Sequence, residues 1–103
     1  MIWSAYVECF LAGVFLANAV PHFVQGISGD PFPTPFARPP GRGLSSPTLN
    51  VVWALGNLVV GYLLFRAGGV STGENRPLVV FLVGVAVSSI LMSQTFSNKQ
   101  TRA

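Results

Sequence analysis

Few side chains in this sequence are equipped for chemistry, and most of those lie inside apolar runs. Glu8, Cys9 and His22 share the first run with Ser4, Asn18 and Gln25. A carboxylate among apolar residues is costly to bury alone. Such groups either join helices through a hydrogen bond or mark an ion path or proton relay. For Glu8 the helix-joining role is the plainer reading, and proton or ion chemistry the alternative. His22 is the only histidine, so a metal would need ligands from carboxylates or from another subunit, and none is expected. The single cysteine, Cys9, excludes an internal disulfide and reads as a small packing residue. No nucleophile–base pair, paired carboxylates or cofactor fingerprint is present, so neither an enzyme nor a cofactor is expected.

The polar residues fall into a pattern once placed on helices. At 100° per residue, Ser4, Glu8, Asn18, His22 and Gln25 lie within about 100° of one another. In a second run Asn50, Ala54, Asn57 and Gly61 share a face, with Trp53 beside it. In a third, Gly84, Ser88 and Thr95 lie on one side, Ser89 and Ser93 on another. A polar group in hydrocarbon needs a partner, so these stripes are expected to turn toward one another or toward another protein. The intramembrane polar set is then Ser4, Glu8, Asn18, His22, Gln25, Asn50 and Asn57.

The second feature with possible chemistry is the connection over residues 26–48, which carries six of the eight prolines. A loop this long without regular structure is usually functional or disordered. Ile27, Phe32, Phe36 and Leu44 supply apolar anchors here, so an ordered cap on the membrane surface is expected. In that cap Phe32 and Phe36 would dip into the interface while Arg38 and Arg42 meet phosphates. Gly41 and Gly43 free the backbone to offer N–H groups, and Ser46 opens the next helix. With Arg38 and Arg42 they form a candidate site for an anion such as a lipid phosphate, without the spacing or lysine of a P-loop.

The elements that must position these groups follow from composition. Charged residues are 9% of the 103, against roughly 25% in an average soluble domain, and of them only Glu8 interrupts an apolar run. A soluble chain this small needs far more polar surface. The apolar runs at 2–24, 49–65 and 77–96 are each near the length that crosses a hydrocarbon core. The reading is an all-α integral membrane protein: one domain, three transmembrane helices, an ordered Pro/Gly-rich loop between the first and second, and a tail at 97–103.

Local signals mark the ends. Ser46-Pro47 reads as N-cap and first helical residue, Gly68-Gly69 as a left-handed stop, and Pro77 as a proline near a helix start. Pro21 is expected to kink or end the first helix near Ala17 to Val20. Ala17-Asn18-Ala19 resembles a signal-peptide cleavage site, but no basic region precedes it and Glu8 interrupts the run, so the segment is read as a retained span. Trp3, Tyr6 and Tyr62 would mark one interface.

The net charge of +3 comes with no basic stripe, so nucleic acid is not expected as a partner. The long loop and tail hold Arg38, Arg42, Lys99 and Arg102, the opposite side Arg66 and Arg76. The positive-inside rule then puts the loop and C-terminus in the cytoplasm, the N-terminus outside, and the chain in a bacterial cytoplasmic membrane. Its chain length and the lone Glu8 in the first span resemble the small multidrug-resistance transporters, four-helix chains that work as dimers. Here residues 26–48 stand where a second crossing would lie. That resemblance implies a homo-oligomeric, proton-coupled carrier or channel using Glu8. The residues themselves point first to an oligomer-forming or accessory subunit, in contact with lipid, with copies of itself or with a larger membrane protein. An anionic-lipid binder is a third reading.

Overall fold

The computed structural model of the chain describes residues 2–100. Three long helices form: α1 (Trp3–Ile27), α2 (Pro47–Ala67) and α3 (Asn75–Phe96), with a short 3-10 turn, Val70–Thr72, between the last two. Each is long and apolar enough to cross a membrane, and no strand occurs among the described residues. At 1.5 Å per residue the helices are about 37, 31 and 33 Å long, against a hydrocarbon thickness of roughly 30 Å. These are the spans of a membrane protein, each close to the run expected for it.

The caps follow the local chemistry. Ser46 Oγ accepts from the Leu49 N–H at 3.1 Å and Pro47 opens α2, where a missing N–H costs nothing. At the far end Gly69 takes the left-handed conformation, φ 84°, which L side chains resist. Pro77 sits within the first turn of α3.

Of the kink or end expected at Pro21, the end does not occur. The helix continues to Ile27 with Pro21 inside it. The residues past the proline are held from outside the helix. His22 bonds to Asn50, and Gly26 lies so close to α2 that a Cβ there would meet Val51 and the Pro47 carbonyl. Tertiary contacts offset the one lost helical hydrogen bond.

α1 is the centre of the molecule. It buries Cys9, Ala12, Gly13, Ala17, Ala19, His22 and Gly26, whereas α3 buries only Pro77, Gly84 and Ser88. α2 and α3 both pack on α1 while their own backbones stay apart, meeting through the Phe65 and Phe81 rings at 5.3 Å. Small residues set these approaches. A Cβ on Gly84 would strike the Phe10 carbonyl oxygen, and one on Gly13 the Phe81 carbonyl oxygen. Gly61 gives way to Leu16 in the same manner. The start of α1 is tied to the end of α2 where Cys9 Sγ donates to the Gly68 carbonyl at 3.0 Å.

The proline-rich loop folds back over the opposite end. Phe32 and Ser45 exchange antiparallel backbone hydrogen bonds at 3.2 and 3.0 Å. Phe32, Pro33, Thr34 and Ala37 are buried. Phe32 therefore does not dip into lipid as expected. It packs edge-on against His22 and Phe96 at ring distances of 5.4 and 4.8 Å, because the bridge to Ser45 turns its side chain under the loop. Phe36 stays largely exposed, with one edge on Trp53. The residues after α3 join the loop: Gln100 N donates to the Arg42 carbonyl and Arg42 Nε to that of Asn98. Loop and tail thus share one end of the bundle, as three crossings require. Arg102 lies outside the described residues.

Candidate functional site

The polar groups of α1 and α2 meet in pairs. Asn18 Nδ2 donates to Asn57 Oδ1 at 3.1 Å, and Asn57 Nδ2 returns to its own helix at the Trp53 carbonyl. One turn on, His22 Nδ1 lies 2.8 Å from Asn50 Oδ1. Asn50 is fully buried, and its Nδ2 reaches the carbonyls of Phe32, Ser45 and Ser46 at 2.9, 3.3 and 3.0 Å. One amide therefore joins α1, the start of α2 and both sides of the loop.

That arrangement fixes proton positions. An amide nitrogen facing three carbonyls assigns Oδ1 to the side of His22, so Nδ1 must be the donor. In the neutral ring Nε2 is then left as an acceptor. The imidazole sits among three rings, Phe32, Trp53 and Phe96, all edge-on. Beneath the loop the Thr34 and Ser45 hydroxyls share a 2.6 Å hydrogen bond. The Asn50 amide, the Asn57 amide and the two hydroxyls are thus paired inside the protein, as burial in low dielectric demands.

Beside this network is a cavity of about 420 Å³ at the loop end, walled by α1, α3 and the loop, with Trp53 alone from α2. Asn18, His22 and Trp53 contribute to its wall, Thr34 comes from the loop, and Val87 and Leu91 stand on the α3 side. Trp53 Nε1 is the only buried side-chain nitrogen or oxygen without a hydrogen-bond partner among the described residues.

The expected stripe is therefore divided. Asn18, His22, Asn50 and Asn57 come together. Ser4 is exposed at the start of α1. Glu8 is half-buried, and the hydrogen bonds that join the helices run through Cys9, Asn18, His22 and Ser88 instead. Gln25 is half-buried beside Asp30 and Lys99 in a smaller hollow of about 220 Å³. The anion candidates are not assembled into a cradle. The backbone N–H of Gly41 goes to the Thr34 carbonyl, and those of Arg42 and Gly43 to that of Pro39. Ser46 is occupied as the α2 cap. Arg38 is exposed, and Arg42, also exposed, holds the tail.

Four participants are not marked by the sequence, the loop hydroxyl of Thr34 among them. Phe96 and Ser45 carried no periodic signal. Trp53 was placed only beside its face; an indole N–H within an apolar run is itself the signal, since it needs an acceptor. Among the described residues no group of three His, Cys, Asp or Glu side chains could hold a metal ion. No protein-family model, curated protein or solved structure matches this chain.

Proposed function

We propose that the chain is a non-enzymatic subunit of a membrane assembly, docked to copies of itself or to a larger membrane protein through the outer face of α3. The observation carrying this reading is the division of small and polar residues on that helix. Gly84 and Ser88 are buried against α1, while Ala86, Ser89 and Ser93 are exposed. At spacings of three and four they line one stripe. In a bilayer, helices associate by close packing and interhelical hydrogen bonds rather than by hydrophobic drive, and small or hydroxylated residues serve both. Ser93 Oγ donates back to the Ile90 carbonyl, which leaves its lone pairs for a donor on a neighbouring helix.

Native mass spectrometry of gently extracted protein tests this. The wild type is expected at a defined stoichiometry with itself or a partner. The Ser89→Leu/Ser93→Leu double variant is expected to be monomeric with its helicity intact. A wild type that is strictly monomeric and partner-free refutes the reading.

A channel or proton-coupled carrier is the second reading, favoured by the half-buried Glu8 carboxylate standing outside the helix-joining network. It requires that Glu8→Gln abolish a flux into liposomes while assembly persists. An unchanged flux, or none in the wild type, rejects it. The proposed placement is a bacterial cytoplasmic membrane, with the loop and tail inside on the balance of Arg and Lys.

A further inference from the structure

None of the assembly-face residues Ala86, Ser89 and Ser93 lines the 420 Å³ cavity. We propose that this cavity binds a neutral, lipid-soluble molecule whose hydroxyl donates a hydrogen bond to His22 Nε2. Two acceptors on α1 lead there, and both belong to residues that line the cavity. Asn50 Oδ1 takes the proton of His22 Nδ1, which leaves Nε2 with a lone pair and no partner among the described residues. One turn back, Asn18 gives its Nδ2 to Asn57, whose own Nδ2 is committed to the Trp53 carbonyl. Asn18 Oδ1 is thereby also left without a partner. The one unpartnered side-chain nitrogen or oxygen that is fully enclosed among the described residues is Trp53 Nε1, so Nε2 and Oδ1 both keep open surface. His22 as a whole is only 2% exposed, and the space it opens on is this cavity. An acceptor that faces an apolar space without a donor is costly. A hydroxyl on the occupant removes that cost. No charged side chain lines the cavity among the described residues, so an ammonium donor would find no counter-ion there and a neutral donor fits. Val14, Val87 and Leu91 give an apolar wall for a hydrocarbon body, and the volume lies in the range of small-molecule sites, roughly 300–1,000 Å³. Val87 and Leu91 are 40% and 57% exposed, and at their depth in α3 that exposure is to lipid, so the occupant enters from the bilayer. Two sources supply this chemistry: the free hydroxyl of a neutral lipid such as diacylglycerol, or a free lipid-soluble alcohol or phenol.

The test uses the full chain in nanodiscs of phosphatidylcholine, a lipid without a hydroxyl. The readout is the Nε2 resonance of His22, the only histidine. The probes are 4-decylphenol and decylbenzene, which has the chain and ring without the hydroxyl. The phenol is expected to saturate at one per chain and to move the Nε2 resonance while Nδ1 stays protonated. Referred to partition into protein-free nanodiscs, it is expected to bind about fivefold to tenfold tighter than decylbenzene, as one net hydrogen bond implies. In His22→Phe, read by bound probe, that preference is expected to fall to about one. Val14→Phe, which fills the cavity, is expected to exclude both probes, with circular dichroism confirming the fold. Both wild-type readouts stand even if His22→Phe fails to fold. Adding diacylglycerol to the discs identifies the source. A shift of Nε2 on that addition without a probe assigns the lipid hydroxyl; a resonance that responds only to the phenol assigns a free molecule. If neither addition moves Nε2, or if the two probes bind alike to the wild type, the proposal is wrong and the two acceptors are met by water.

Discussion

Asn50 is the residue on which three parts of the chain depend. It has no exposed surface, and its amide is matched on both sides, to the His22 ring and to three loop and helix-cap carbonyls. Asn50→Asp keeps the size but sets a carboxyl group against those carbonyls. It is expected to cost about 2–4 kcal/mol, since buried acceptors then lack their donor. His22→Phe orphans only Asn50 Oδ1 and is expected to cost about 1–3 kcal/mol. Asn57→Leu removes one interhelical bond, of the kind that averages about 0.6 kcal/mol in membranes. Denaturant unfolding in micelles should rank the three in that order. An Asn50→Asp protein as stable as Asn57→Leu would show that the loop does not hang on this amide.

At the scale of elements, what separates one helix contact from another is the atom a new methyl group would meet. On Gly84 it is the backbone of Phe10, which cannot move without shifting α1; on Gly61 it is first the side chain of Leu16, which can rotate. Gly84→Ala is therefore expected to destabilise by about 2–3 kcal/mol and Gly61→Ala by about 1 kcal/mol or less. Spin-label distances between α1 and α3 should lengthen in the first variant and stay fixed in the second. Equal effects would mean that α3 is free to slide on α1. That α3 meets α1 through so few buried side chains makes it the helix most dependent on these close backbone contacts.

For the whole molecule, the loop, the end of α3 and the tail form one closed end. Phe96 is the hinge of that arrangement, with ring contacts to His22 and Phe32. Phe96→Ala is expected to raise amide exchange across residues 28–46 by about tenfold or more, as loss of roughly 1.4 kcal/mol of local closure would, while exchange in the middle of α2 is unchanged. Protection retained throughout the loop would place its stability in Asn50 alone. On the orientation proposed above, a C-terminal reporter active only outside the cytoplasmic membrane should be silent. The molecule is 49 Å in its longest dimension, close to the roughly 40–45 Å of a bilayer with its head groups.

The sequence alone determined the spans, their order and most of their ends. Apolar run length, Ser46-Pro47 and Gly69 act through local sterics and transfer free energy, which need no knowledge of neighbours. It also placed Asn18, His22, Asn50 and Asn57 on faces that must find partners, because an amide in hydrocarbon has no other recourse. Which partner each finds was decided only in three dimensions. Helical periodicity puts Glu8 and His22 on one stripe, yet α2, which runs the length of α1, carries Asn50 and Asn57 toward the loop end, so the amides pair there and Glu8 does not join them. Pro21 reads as a kink or an end because its effect is local; the end does not occur, because His22 and Gly26 are held by α2. Phe32 reads as an interface anchor because nothing local distinguishes an outward phenylalanine from one turned under by a bridge thirteen residues later in the chain. The cavity and the orphaned indole beside it are likewise tertiary. They arise where α1, α3 and the loop meet beside Trp53, an arrangement that no single helix encodes.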